Sequence, residues 1–253
     1  MKIRPQSGDG QIGSRIQEYL KNINLPALVD PRFPVRSGVS NSAILKSYLA
    51  LLCQGKSDFD AIEHFRDDAF FARALSLAVA PSSPTLRQRM DTHASAWFDL
   101  ASSINEALLS ARIQGQAIAF GALPCGYTPL DIDTFAMDNS GTAKELVGRT
   151  YAGVDGYCPL AAYLGTAGFC LELALRPGTQ HSACETEYNI ERVLPLAARV
   201  SAGGSGGANG KAAPLLFRAD SGFDSAKLMC AIDSQAQQLK RAVAFIIKWN
   251  PRN

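Results

Sequence analysis

Leu130-Asp131-Ile132-Asp133-Thr134-Phe135-Ala136-Met137 is the stretch on which the fold turns. Apolar and polar residues alternate in it with period two, the pattern of a half-buried β-strand. Strands are poor in aspartate, yet this one carries two. At positions i and i+2, Asp131 and Asp133 share a face. Before this stretch the chain reads as helical, and after it strands and helices mix. The texture predicts an α+β or α/β protein: a helical N-terminal domain over residues 1–118, then a mixed sheet flanked by helices over 119–253.

Downstream, residues 157–164 and 169–175 are apolar runs joined by Gly165-Thr166-Ala167-Gly168, a hairpin signal. Cys158 and Cys170 lie in those runs and read as buried thiols. Residues 187–200 have helical spacing. Residues 202–213 are rich in Gly and Ser and read as a flexible excursion. Its Gly203-Gly204-Ser205-Gly206-Gly207 lacks the GK[ST] ending of a phosphate loop. Leu215-Leu216-Phe217 is a short strand that runs into Arg218-Ala219-Asp220, and a helix over 225–239 and a strand over 242–248 follow.

Upstream, Ile12, Ile16, Tyr19, Leu20 and Ile23 recur at helical spacing. Asn41-Ser42 is predicted to cap a helix bearing Ile44, Tyr48 and Leu51, which Gln54-Gly55 ends. Ser57 or Asp58 starts a short helix with Phe59, Ile62 and Phe65, and Asp67-Asp68 starts another. Ser83-Pro84 has the order of a helix start. The helix it opens carries Arg87 and Arg89, in the manner of a DNA-reading helix, although short basic helices are ordinarily solvated surfaces. A long helix over 94–112 closes this half, with Trp97 and Phe98 as core.

Composition narrows the function classes. The 253 residues hold 25 Lys and Arg against 23 Asp and Glu, a net charge of +2. Bulk charge therefore does not argue for nucleic acid, and any such contact must be local. No run of ~18 apolar residues marks a membrane span. The first residues lack the apolar segment of a secretory signal. Six cysteines without a CxxC pair argue against zinc or a disulfide framework and suit a reducing cytoplasm.

The acidic residues carry the chemistry. Asp220 follows the later strand, and if that strand neighbours the first, Asp133 and Asp220 converge. Two like charges are costly side by side unless a cation neutralises them, and hard oxygen donors suit Mg²⁺ or Mn²⁺. Two such ions ~3.5–4 Å apart would clamp a phosphoryl transfer. Asp133-Thr134 and Asp220-Ser221-Gly222 equally suit turns or caps. Arg149, Arg176, Arg218 and Lys248 lie near strand ends as phosphate contacts or surface charges. His181, in a loop, could approach DNA or metal, or be solvated.

A resemblance adds to this. Leu130-Asp131-Ile132-Asp133-Thr134, Met137-Asp138-Asn139-Ser140-Gly141 and the run from Gly148-Arg149-Thr150-Tyr151 to Cys158-Pro159-Leu160 resemble the bacterial insertion-sequence transposase family numbered thirteen-eighty. Leu175-Arg176-Pro177-Gly178-Thr179-Gln180-His181, Arg218-Ala219-Asp220-Ser221-Gly222-Phe223-Asp224-Ser225 and Phe245-Ile246-Ile247-Lys248 do so as well. The resemblance implies a ribonuclease-H-like fold and a DDE transposase acting on DNA, namely the element's terminal repeats and the target. It implies Asp133 and Asp220 as the first two metal-binding acids, with Asp131 the rival for the first. It also implies a third acid, a Glu on a helix beyond the last strand. The sequence ends at Lys248-Trp249-Asn250-Pro251-Arg252-Asn253, so the expectation is an incomplete catalytic domain from a truncated frame, doubtful in strand transfer by itself. The rival expectation is a DNA-binding or dimerising module that pairs with intact transposase or with itself. Either would work in the cytoplasm, at the nucleoid.

Overall fold

The structure is a computed structural model and describes residues 23–115, 118–202 and 212–251. Most of the helix predicted over residues 12–23 and most of the Gly/Ser segment lie outside the described residues; Ile23, which is described, is a buried bend ahead of the first helix rather than part of one. The chain divides into two compact units, Met1–Ala111 and Arg112–Asn253, against a predicted boundary at 118.

The first unit is helical: α1 (Leu25–Val29), α2 (Asn41–Cys53), a 3₁₀ helix (Phe59–Phe65), α3 (Ala69–Ala74), α4 (Ser83–Thr92) and α5 (Ala94–Gln114). Helix starts leave backbone N–H groups without partners, and side chains one position before the helix meet that need. Ser40 accepts from the Ala43 N–H, Asp58 from Asp60, Asp68 from Phe70 and Phe71, and Ser82 from Thr85. Two predicted caps thus move by one residue, from Asn41-Ser42 to Ser40 and from Ser83 to Ser82. The reason is that the expected side chains are engaged elsewhere. Asn41 Nδ2 donates to the Phe33 carbonyl at 2.8 Å, Ser42 Oγ donates to Asp30 at 2.8 Å, and Ser83 Oγ donates to Asp60.

One apolar cluster gathers Ile44, Leu51, Ile62, Phe71 and Leu86; another gathers Leu25, Val29 and Leu100, with Trp97 and Ile104 against it. Trp97, Leu100 and Ile104 follow the helical repeat. Phe98 falls off that stripe and is 38% exposed, which corrects its reading as core.

The second unit is built on a five-stranded sheet. Its strands are β1 (Thr128–Thr134), β5 (Leu160–Leu164), β6 (Phe169–Ala174), β7 (Leu215–Ala219) and β8 (Val243–Ile247), in the order β6-β5-β1-β7-β8. The pairs β6–β5 and β5–β1 are antiparallel, and β1–β7 and β7–β8 are parallel. This is the ribonuclease-H-like strand order. Parallel neighbours need a crossover. Helix α6 (Thr186–Ala202) lies between β6 and β7, and α7 (Ala226–Leu239) lies between β7 and β8. Both helices bury one stripe, Ile190, Val193, Leu194 and Ala197 on α6 and Leu228 and Ile232 on α7. The sheet buries Leu130, Ile132, Leu215 and Phe217. Among the described residues no helix is long and apolar enough to cross a membrane.

The predicted strand over 130–137 is in fact two. β1 stops at Thr134, and Met137-Asp138 forms β2 of a small second sheet, β2-β4-β3, with β3 at Gly148–Arg149 and β4 at Asp155–Tyr157. The predicted run over 157–164 breaks likewise at Cys158-Pro159, where proline has no N–H for a ladder. Cys170 is exposed rather than buried, because it pairs in register with outward-facing Tyr163 beyond a register shift.

Arg241 ties this unit together and carried no signal in the sequence. Its guanidinium donates to the Ala198 carbonyl at 2.9 Å, Ser201 Oγ at 2.8 Å and the Ala213 carbonyl at 2.5 Å, joining the end of α6 to the entry of β7. Arg241→Met is expected to leave those acceptors without a donor and to lower stability by about 2 kcal/mol, read as an earlier midpoint in urea unfolding of the full chain.

Candidate functional site

The site starts from strand register. β1 and β7 run parallel with Thr128 opposite Leu215 and Asp131 opposite Arg218. At the last pair the side chains meet: Arg218 Nε donates to Asp131 Oδ1 and Nη2 to Oδ2, both at 2.6 Å. Such a two-pronged contact is geometrically specific. It is part-exposed and so contributes modestly to stability; its consequence is to pin two strands whose paired residues lie 87 positions apart.

Because the strands are parallel, two further residues along each lead to Asp133 and Asp220. Alternation keeps both on the face where Asp131 and Arg218 meet. Asp220 has extended backbone, φ −79° and ψ −176°, and caps the 3₁₀ turn Ser221–Phe223. Its Oδ1 accepts from the Gly222 N–H at 2.9 Å. Asp133 Oδ1 accepts from the Thr134 N–H at 2.7 Å. In each carboxylate one oxygen is thus held by a backbone N–H. Partial burial raises the pKa of Asp133, the Thr134 N–H opposes that, and the negative charge of Asp220 adds to the rise. The two acids are therefore in electrostatic reach.

A loop closes over the ends of β1 and β7. Ser182 Oγ and Thr134 Oγ1 share a hydrogen bond of 2.8 Å. Ser182 also lies against the turn capped by Asp220: a Cβ on Gly222 would sit 3.2 Å from Ser182 Cβ and Oγ. The loop is held from beneath by Arg176, only 5% exposed. Its Nη2 donates to the His181 carbonyl at 2.7 Å and the Cys184 carbonyl at 2.9 Å, and its Nη1 donates to the Ser182 carbonyl at 3.4 Å. Burial lowers the Arg176 pKa.

The remaining residues singled out from sequence scatter. Asp131 is engaged by Arg218, so both leave the pool of open ligands and phosphate contacts. Arg176 is interior, and its donors meet carbonyls rather than solvent, which corrects its reading as a strand-end phosphate contact. Arg149, on β3, lies 3.5 Å from Asp155. The exposed His181 accepts the Ala183 N–H at Nδ1. Lys248 is exposed one residue beyond β8, and its N–H donates to the Ala219 carbonyl at 3.3 Å, which places it beside the tip of β7. Arg87 and Arg89 lie on α4 of the other unit. Arg87 sits 5.3 Å over the Phe59 ring and 3.7 Å from Asp60. Ser182 escaped sequence reading altogether, since nothing local distinguishes it from a solvated loop serine.

The donor set suits a hard divalent cation. Mg²⁺ is commonly held by one or two carboxylates, with waters and substrate phosphates completing its shell. Asp133 and Asp220 offer such a pair. Among the described residues no group of three or more His, Cys, Asp or Glu is arranged to hold a metal.

Known proteins give the last observation. The model of the family described as transposase DDE domain group 1 matches residues 16–247. No curated protein matches the chain. Among solved structures, the piggyBac transposase in a synaptic complex with hairpin DNA is 12% identical, with all of this chain and 52% of that one covered and a TM-score of 0.34. The chain thus spans about half the length of that relative. The Mos1 transposase, in a pre-cleavage transpososome and in a paired-end complex with the left transposon end, is 9% identical, with 95% and 78% covered and a TM-score of 0.26. Matched by the family model over nearly its whole length, the chain belongs to the transposase DDE domain family.

Proposed function

We propose that this chain acts in DNA transposition of an insertion sequence of the thirteen-eighty kind, with Asp133 and Asp220 holding Mg²⁺ or Mn²⁺ for phosphodiester cleavage and strand transfer. The observation behind this reading is the pair of carboxylates at adjacent ends of two parallel strands, each with one oxygen steered by a backbone N–H. When bound, such an ion supplies charge stabilisation at the attacked phosphate and a water of lowered pKa. The residues of this chain do the rest. Asp133 and Asp220 fix where the ion and the phosphate sit, and the backbone N–H of Thr134 and of Gly222 keep those carboxylates from rotating. Lys248 and Arg149 offer cationic contacts to phosphate, a sequence-independent attraction that weakens as salt rises. DNA is the partner in this reading, both the element's terminal repeats and the target, and the nucleoid its place of work.

In this reading a third acid, the Glu that the family resemblance implies, joins the pair. A second reading is that the chain binds DNA or dimerises, with itself or with an intact transposase, and cuts nothing.

One assay separates the two. A supercoiled plasmid bearing the terminal repeats is incubated with the chain and Mn²⁺. Nicking that falls at least about 100-fold in Asp133→Ala and in Asp220→Ala supports the enzyme. Metal-independent retardation of the same DNA without nicking supports the module, and nicking untouched by both substitutions contradicts the two-aspartate reading.

A stability measurement tests the same pair without DNA. The folded-state pKa of Asp133 lies above its ordinary 3.8. Its contribution to stability is then full below the ordinary value and is lost as pH rises through the raised one. At neutral pH without metal, Asp133→Asn should melt about 1 °C higher than the native chain. Below the ordinary aspartate value the gain should vanish, and with Mn²⁺ present the order should reverse.

A further inference from the structure

We propose that Ser182 is a positioning residue for the two-aspartate site, setting the separation of Asp133 and Asp220 through its contacts to Thr134 and to the Asp220-Ser221-Gly222 turn. This rests on the reading that the two acids bind a divalent ion.

The paired register of β1 and β7 ends at Asp131–Arg218 and stops short of both aspartates. The side chains above the sheet therefore set how the two tips finish. Each carboxylate is aimed by one backbone N–H, that of Thr134 for Asp133 and that of Gly222 for Asp220. Ser182 hydrogen-bonds to the first of those residues and lies beside the second. Its Oγ is 2.8 Å from Thr134 Oγ1, and a Cβ built on Gly222 would lie 3.2 Å from Ser182 Cβ and Oγ and 3.0 Å from Asp220 Oδ1. One serine thus stands between the two residues that orient the two acids, bonded to Thr134 across 48 positions and packed beside Gly222.

Ser182 is itself held in place. Its carbonyl accepts from Arg176 Nη1 and from Thr186 Oγ1 at the start of α6. The flanking carbonyls of His181 and Cys184 accept from Arg176 Nη2. Burying an arginine costs free energy unless its donors are satisfied, and here both terminal nitrogens, though not Nε, are directed at the backbone of one four-residue loop. An interior cation that braces a surface loop is hard to explain by the loop itself; a requirement for Ser182 at a fixed place accounts for it. Partners one layer behind metal ligands typically alter affinity 10–100-fold when removed.

The test is Mn²⁺ binding by the full 253-residue chain, followed from the electron paramagnetic resonance signal of free Mn²⁺, with thermal melting of each variant without metal. Ser182→Ala should weaken Mn²⁺ binding by about 10-fold while melting within about 2 °C of the native chain. Ser182→Thr, which keeps a hydroxyl, should bind within about twofold of native. Thr134→Val, which breaks the same bond from its other side, should match Ser182→Ala, and it stands in if that variant does not fold. Native Mn²⁺ affinity in both Ser182→Ala and Thr134→Val overturns the inference and leaves the two-aspartate reading standing. So does a loss that Ser182→Thr fails to restore. A native chain that binds Mn²⁺ no better than Asp133→Ala overturns both.

Discussion

Parallel pairing of β1 with β7 is the constraint on which the candidate site depends. Asp131 and Arg218 close that pairing with two hydrogen bonds of 2.6 Å between side chains on one face. A shift of one residue in either strand would send that strand's acid to the opposite face. With the register held, Asp133 and Asp220 lie at matching offsets beyond the last pair. The ion pair adds little free energy at its exposure, and its importance is positional. The strongest geometric contact in the region therefore belongs to a residue that sequence reading held as a rival metal ligand.

Two buried arginines support this arrangement. Arg241 links the end of α6 to the entry of β7, and Arg176 braces the loop that reaches the ends of β1 and β7. Burial lowers the pKa of each guanidinium. Both direct their terminal nitrogens mainly at backbone carbonyls, with Ser201 Oγ a further acceptor of Arg241, so each satisfies several acceptors at once with a rigid planar group. Such a group fixes distances better than a flexible ammonium could, which suits elements that must hold two strand tips in a set relation.

Much of the architecture was legible before any coordinates. Alternation in Leu130-Asp131-Ile132-Asp133-Thr134 marked β1 and placed its two aspartates on one face, because side-chain direction in a strand follows from residue parity. The turn residues Gly165-Thr166-Ala167-Gly168 marked the β5–β6 hairpin. The starts of α2, the 3₁₀ helix, α3 and α4 were located to within one or two residues while α1 went unforeseen, and the offsets at α2 and α4 arose because Asn41, Ser42 and Ser83 bond to distant groups that local sequence does not reveal. The break of β1 at Thr134 was hidden, since Met137 continued the alternation while belonging to another sheet. The site itself was half legible. Asp133 and Asp220 were visible as acids at strand ends, but their adjacency depends on register between segments 87 positions apart, as does the use of Arg218. Arg176 looked like a surface cation because charge ordinarily means solvent, and Ser182 carried no signal of any kind.

The central claim is that Asp133 and Asp220 converge on one divalent ion. Anomalous diffraction from crystals grown with Mn²⁺ tests it most directly. The account expects one strong peak within coordination distance of a carboxylate oxygen from each aspartate, with Asp131 still bonded to Arg218. A peak bound by only one of the two, or carboxylates directed to opposite faces of the sheet, would contradict it.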